Sequence, residues 1–413
     1  MFPRFDGFRI LMSFCLLALA GCAGTRSAYI GGADMPYPLA EQPKAEEIRH
    51  LPTGLLLTFD GAMELISAAR LVCIGETHDN LHAHRVELQV IRELDRRYPG
   101  KIAIGMEMFR EPDQVTLDRW TKGELTEIEF LKATKWYENW GSDFGYYRDI
   151  LRFARDRGID VVALNHSREL QQEVRGTGLD NASKELLAKL PEIGEPDPYQ
   201  RAAMKAVYGA HLPSEGMFEA FFRVQLLWEE TMAVRVADYL RSPRGEGKKM
   251  VTITGGWHVR HGFGIPKKVL RRMPIPYTIL MPEEISVPEE KKDRLMNVYL
   301  PTIPLLPADF YWMVPYEDLE GKQMAMGVRL SVKDNEVVVE GVTAGSPAEK
   351  AGILKGDRLF LFDGQAISDM SDVYIRVREK KEGDRAAVIV LRGGVEIPLQ
   401  VEFFPIPGKK PHE

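Results

Sequence analysis

Cysteine is scarce: the 413 residues contain three. Cys15 and Cys22 fall in the N-terminal leader, which leaves Cys73 alone in the body of the chain. No intramolecular disulfide can then hold the fold. Cys73 lies in an apolar run and is expected to be a small buried hydrophobe. No C-x-x-C-H occurs, which excludes covalently attached c-type haem. Basic blocks are missing too. Lys and Arg total 54 against 60 Asp and Glu, mixed along the chain, for a net charge of −6. That balance excludes the basic surface a nucleic acid needs. Disorder is excluded as well, because 45% of residues are hydrophobic and 28% charged. Such a chain can build a packed core, and its length calls for two domains.

Residues 1–21 read as a signal peptide. Arg4 and Arg9 supply the positive end, with Asp6 an unusual companion, and "ILMSFCLLALAG" is apolar but too short to span a bilayer. It runs into Leu19-Ala20-Gly21-Cys22, the pattern of a bacterial lipobox. Cys22 is therefore the expected point of lipidation, and the protein is expected on the bacterial cell envelope, anchored through lipid. Ala23, where Asp would retain a lipoprotein at the inner membrane, points to the outer membrane. Residues 22–50 read as a polar tether.

Short apolar runs then alternate with long helical patterns. Strands are expected at 69–75, 101–109, 160–166 and 249–258, with further ones at 277–282 and 310–315. Helices are expected at 80–98, capped by Asn80, at 143–158, ended by Gly158, and at 214–242, capped by Ser214. The alternation predicts an α/β domain over 51–318, with a mainly parallel central sheet flanked by helices. From about residue 322 the pattern turns β-like.

Ligands of open α/β sheets sit beyond the carboxyl ends of the strands. The first predicted strand delivers Glu76 and His78, and the second Glu107. The third delivers Asn165, His166 and then Arg168. The fourth delivers Gly255, Gly256 and His258. Gly75-Glu-Thr-His78 and Gly255-Gly-Trp-His258 are both G-x-x-H after a strand, where glycine allows a tight turn that folds the imidazole back. Two imidazoles with Glu76 and Glu107 suit a transition metal of intermediate softness. A zinc helix of the H-E-x-x-H kind does not fit His78 and His82. Residue 79 is Asp, and His78 precedes the helix cap. His82 and His84 are read as solvated or supporting helix residues, outside the ligand site.

The stretch 324–405 resembles a bacterial PDZ domain through "MGVRL" (326–330), "GSPAEKAGILKGDRLFLFDGQAI" (345–367) and "PLQVEF" (398–403). The resemblance implies binding of a C-terminal peptide by strand addition beside Val328, Arg329 and Leu330. Its carboxylate would be held near Met326 and Gly327. Met326-Gly-Val replaces the commoner aromatic or aliphatic pair and leaves peptide preference open.

"LVCIGETHDNLHAHRVELQVIREL", "AIGMEMF", "YYRDILRFARDRGIDVVALNHSREL", "QLLWEETMA" and "GGWHVRHGFGIPKKVLRRM" resemble the ChaN family, of the haem-binding-uptake and Tiki-like superfamily, over about 50–315. His166 stands where a small or apolar residue would be expected. The ChaN branch implies an iron-regulated, surface-anchored lipoprotein for iron uptake that holds haem between two protomers, hence a homodimer. Haem asks for an axial donor, an apolar slot and cations for its propionates. Donors on offer are His78, His166, His258, Tyr146 and Tyr147. Met106, Met108, Phe109 and the aromatic run 136–147 could line the slot, and Arg168 and Arg260 could face the propionates. The Tiki branch implies a metal-dependent protease in which His78 and His258 hold the metal and Glu76 or Glu107 is the base. A third reading is an envelope scaffold acting through the PDZ domain alone.

Overall fold

The apolar runs become neighbouring strands of one sheet. A computed structural model describes residues 43–177, 179, 182–209, 212, 214–286, 288, 289, 301–319 and 324–406. The signal peptide, Cys22 and most of the tether lie outside the described residues. In chain order the first sheet comprises β1 (Ile48–His50), β2 (Leu55–Leu57), β3 (Leu71–Glu76), β4 (Ile102–Arg110), β5 (Asp160–Asn165), β6 (Lys249–Gly255), β7 (Tyr277–Ser286) and β8 (Phe310–Pro315). Its order is β2-β1-β8-β7-β3-β6-β4-β5. The six strands from β8 to β5 are mutually parallel, and β1 and β2 add antiparallel at one edge. β3 and β5 are buried along their whole length, as strands covered on both faces must be. The stretch read as tether through residue 50 already contains β1, because Ile48 is buried and pairs opposite Trp312.

Helices cover both faces. Leu81–Arg97 starts at Asn80, whose side chain accepts from the His82 amide, and Arg148–Arg157 ends at Gly158 in the left-handed conformation. The helix Glu215–Arg241 starts at Ser214. β6 stops at Gly255, and residues 256–258 form a 3-10 turn rather than the end of a strand. Met106, Met108 and Phe109 are core residues. So are Trp136, Phe144 and Tyr147 of the aromatic run, and Phe109 packs on Phe130 and Trp136. They do not line a slot. Cys73 is fully buried, and burial pushes its thiol pKa up to about 12.

The second sheet follows β9 (Val328–Lys333), β10 (Glu336–Val342), β11 (Arg358–Phe362), β12 (Gln365–Ala366), β13 (Arg385–Arg392) and β14 (Val395–Glu402), in the order β14-β13-β11-β10-β9 with β12 on β11. β9 is its edge strand and contacts the helix Met370–Arg378. That helix also grips the first domain. Ile375 joins the first domain's apolar core, and Arg378 stacks on Tyr137 at 4.2 Å. Ser371 donates to Glu138 at 3.1 Å, Arg378 pairs with Asp143 at 3.2 Å, and Lys132 pairs with Asp372. Among the described residues no helix is long and apolar enough to cross a membrane.

Candidate functional site

Strand order explains why distant parts of the chain meet. β3, β6, β4 and β5 are consecutive neighbours and all run the same way, so their carboxyl ends share one rim. Glu76 pairs in register with Gly255, which brings the two G-x-x-H turns side by side. The glycines serve close approach, not unusual dihedrals. A Cβ on Gly75 would lie 2.5 Å from Val259, and one on Gly255 would lie 3.1 Å from His78 Nε2 and 3.7 Å from Glu107. Neither glycine has positive φ.

Two linked networks fill this rim. In the first, Glu76 is the hub. It lies 2.6 Å from His78 Nδ1, accepts from the Tyr147 hydroxyl at 2.7 Å and faces His84 Nδ1 at 3.0 Å. His84 also reaches Glu87 at 3.0 Å. Trp140 meets the His78 ring edge-on at 4.9 Å. In the second network, Glu107 accepts from the Gly255 amide at 2.8 Å and faces His258 Nε2 at 3.4 Å. His258 Nδ1 lies 3.5 Å from Glu229, which also takes Lys268 and Gln200 at 2.8 Å each.

Burial sets the electrostatics. Alone it would raise every carboxyl here, but the imidazoles of His84 and His78 hold Glu76 well below the usual carboxylate range. Glu87 goes the other way, raised by burial and by the Glu76 charge. His84 is raised despite burial, through Glu76 and Glu87. His258 overcomes burial through Glu107 and Glu229 and is pushed up to about 10. The carboxylates Glu76 and Glu107 thus favour the charged form of the imidazoles beside them, while burial and the Glu76 charge favour the neutral form of Glu87.

The four residues proposed as metal ligands, Glu76, His78, Glu107 and His258, do share this rim. The donor atoms that come closest together belong to a different set, Glu76, His84 and Glu87, all within 4.8 Å of one another. His84 was read as lying outside the site. It is in fact buried, on the inward stripe Asn80-His84-Glu87-Ile91 of its helix. His82 stays apart, paired with Glu317 at 2.7 Å. Glu229 and Lys268 are further members that sequence reasoning missed. A signal for Glu229 was there: an acid pair, Glu229-Glu230, set between Leu226-Leu227-Trp228 and Thr231-Met232-Ala233.

Other candidates go elsewhere. Arg168 is exposed at a helix start, and Arg260 faces Glu283 at 3.6 Å. Tyr146 donates to Asp318. Asn165 turns toward the rim and donates to the Glu107 carbonyl at 2.7 Å. His166 lines a separate cavity of about 630 Å³ beside the helices Glu215–Arg241 and Ile265–Arg272. In the second domain Met326 is buried, Gly327 adopts φ 81° and Val328, Arg329 and Leu330 lie on the open edge of β9. A side chain at Gly327 would also strike Ser346, 2.2 Å away.

Comparison with known proteins fits this division. The family model for haem-binding uptake, Tiki superfamily, ChaN matches residues 62–269, and a PDZ model matches 324–403. The solved structure of cofacial heme binding to ChaN of Campylobacter jejuni is similar over 66% of this chain and 98% of that one, with a TM-score of 0.50 and 15% identity, a likeness of fold. A DegP-like periplasmic serine endoprotease of Rhizobium meliloti is 35% identical over 92 residues, 22% of this chain and 18% of that protein. The HtrA-type protease AlgW with decapeptide is 26% identical over 21% of this chain and 30% of its own, with a TM-score of 0.20. The chain thus spans under a fifth of the curated relative's length. By the match over half its length, the chain belongs to the haem-binding uptake, Tiki superfamily, ChaN family, and it carries a PDZ domain after the ChaN region.

Proposed function

We propose that the protein is an envelope-anchored haem-binding lipoprotein for iron uptake, in which the ChaN domain takes iron-porphyrin and the PDZ domain engages the C-terminal peptide of an envelope partner. The family match over 62–269 carries this reading. Beside the family match, the sheet rim offers imidazoles, and the cavity of about 630 Å³ near it carries arginines along with Glu111, Glu192 and Asp238. Lipidation at Cys22 would place it on the outer membrane. The open edge of β9 and the groove beside Met370–Arg378 supply the peptide site. Hemin titration of the full-length chain in detergent tests the haem reading. A stoichiometric Soret shift supports it, and no shift at any hemin concentration removes it.

A second reading, a metal-dependent hydrolase, draws on one observation: the convergence of Glu76, His84 and Glu87. A divalent ion there would compete with protons for His84 and Glu87, whose pKa values are both raised. Metal analysis together with peptide cleavage restored by a divalent ion, and lost in Glu76→Gln, would favour it over haem binding.

A further inference from the structure

The aromatic segment 136–143 has little regular structure of its own. Its helix, Trp136–Asn139, is a single turn, entered through Lys135 in the left-handed conformation at φ 46° and followed by Gly141 at φ 86°. One turn is too short to be stable by itself, so what packs on its two sides sets the position of the segment.

On one side lies the rim. Trp140 meets the His78 ring edge-on at 4.9 Å and lies 6.5 Å from Tyr147, the donor to Glu76. Trp140 Nε1 is buried without a hydrogen-bond partner among the described residues, so ring packing alone fixes the indole. His78 is the member of the first network that reaches solvent, with 39% of its side chain exposed against 2% for His84 and none for Glu76. Trp140 thus stands where that network opens to solvent.

On the other side lies the second domain. Arg378 stacks on Tyr137 at 4.2 Å, pairs with Asp143 at 3.2 Å and donates to the Gly141 carbonyl at 3.1 Å. Ser371 donates to Glu138 at 3.1 Å. Ile375 packs in the first domain's core, whereas Val373 and Val377 of the same helix pack in the second domain's own core. The helix Met370–Arg378 therefore belongs to its domain by one face and grips the segment by another.

We propose that residues 136–143 form a lid over His78 whose closed position is held by the second domain, so that access to the histidine rim depends on docking of the helix Met370–Arg378. The proposal does not depend on which ligand the rim takes. Undocking removes the contacts at Tyr137, Glu138, Gly141 and Asp143 together and leaves a one-turn segment beside His78. A region with so few remaining contacts opens locally before the rest of the fold.

Hydroxyl-radical footprinting of the full-length chain in detergent, read by mass spectrometry, reports exposure at Tyr137, Trp140 and His78. Ile375→Asp puts an unpaired charge into the interface and should undock the helix without touching the second domain's core. Labelling at Tyr137 should rise in it, and labelling at Trp140 and His78 should rise with it, by about threefold or more. Arg378→Ala should give a smaller rise at the same three residues. Met326 and Trp312, each buried in its own domain, should stay as in the unsubstituted chain, which a misfolded variant would not allow. Val395→Ala, at an exposed position of the second domain, should change nothing. A rise at Tyr137 with Trp140 and His78 unchanged overturns the lid and leaves the docked interface standing. No rise at Tyr137 in Ile375→Asp overturns the docked arrangement and the lid with it. If Ile375→Asp exposes Met326 or Trp312, Arg378→Ala decides between the same outcomes.

Discussion

At the ends of β3, β6 and β4 the imidazoles of His78, His84 and His258 pair with buried carboxylates; at the end of β5, His166 is held by backbone groups at Ser167 and shares a cavity with Glu111. The two regions are neighbours on one rim, separated by Asn165, which donates to the Glu107 carbonyl, and by Trp228, which donates to Asn165. Successive side chains leave the chain on opposite sides, so Asn165 turns to the Glu107 backbone and Trp228 while His166 turns into the cavity. The difference teaches how to tell two uses of buried histidine apart. In the network the imidazole is a counter-ion whose removal strands a charge. In the cavity it is a ring that burial holds below the usual imidazole pKa, and its removal gives up backbone hydrogen bonds but strands no charge. Stability measurements on the ligand-free chain should separate the two.

The largest effect is expected at the hub. Glu76→Ala leaves His78, His84 and the Tyr147 hydroxyl facing an empty space in the interior. Removing one partner of a buried ion pair costs about 3–5 kcal/mol. Urea unfolding of the full-length chain measures this, and a loss below about 1 kcal/mol would mean that the network is far wetter than its burial implies. Gly255→Val should come next. Its Cβ alone would stand 3.1 Å from His78 Nε2, and the branched methyls would press on Glu107. Overpacking of this kind costs about 1–3 kcal/mol. Gly255→Ala should cost less, because a few tenths of an ångström of movement by His78 relieves it.

Much of this site was legible before any coordinates. Apolar runs of strand length with polar ends announced the parallel sheet, and four such ends announced the rim. What escaped depended on facts that a linear pattern does not carry. Helix phase decided His84: counted from the Asn80 cap, it falls on the inward stripe with Glu87 and Ile91. Long-range pairing decided Glu229, whose cation Lys268 is 39 residues away on another helix. The aromatic run 136–147 was legible as aromatic but not as core. Phe109, Phe144 and Tyr147 pack around Trp136, and Trp140 is the member of the run whose ring meets His78. The grip of the PDZ helix on this segment was invisible, since its partners come from sequence more than 230 positions apart.

That grip supplies a case between the two extremes, a buried acid with a half-exposed partner. Asp372 is 2% exposed and Lys132 35%. Burial alone would raise the Asp372 carboxyl, but Lys132 and Ser368 bring it from 3.8 to about 2. A carboxyl whose folded pKa is depressed adds stability above its unfolded pKa and loses it as pH falls through the folded one. Asp372 should therefore stabilise the docked PDZ domain fully above about pH 5 and progressively less toward about pH 2. Screening at Lys132 keeps the effect to about 1 kcal/mol. In Asp372→Asn the urea midpoint should fall less between those two pH values than in the unsubstituted chain. An equal fall in both would mean that the pair does not hold the domains together.

The smallest effect is expected at His166. His166→Leu gives up backbone hydrogen bonds at Ser167 and no ion pair among the described residues, so it should cost about 1 kcal/mol or less in the ligand-free chain. A ligand that binds only the folded state stabilises it by RT ln(1 + [L]/Kd), about 2.7 kcal/mol at a hundredfold excess over Kd. With hemin present the unsubstituted chain should gain stability of that order, and no gain would count against the haem reading. A large loss in ligand-free His166→Leu would instead show that the ring is held by the fold itself, and the distinction drawn between the cavity and the network would disappear.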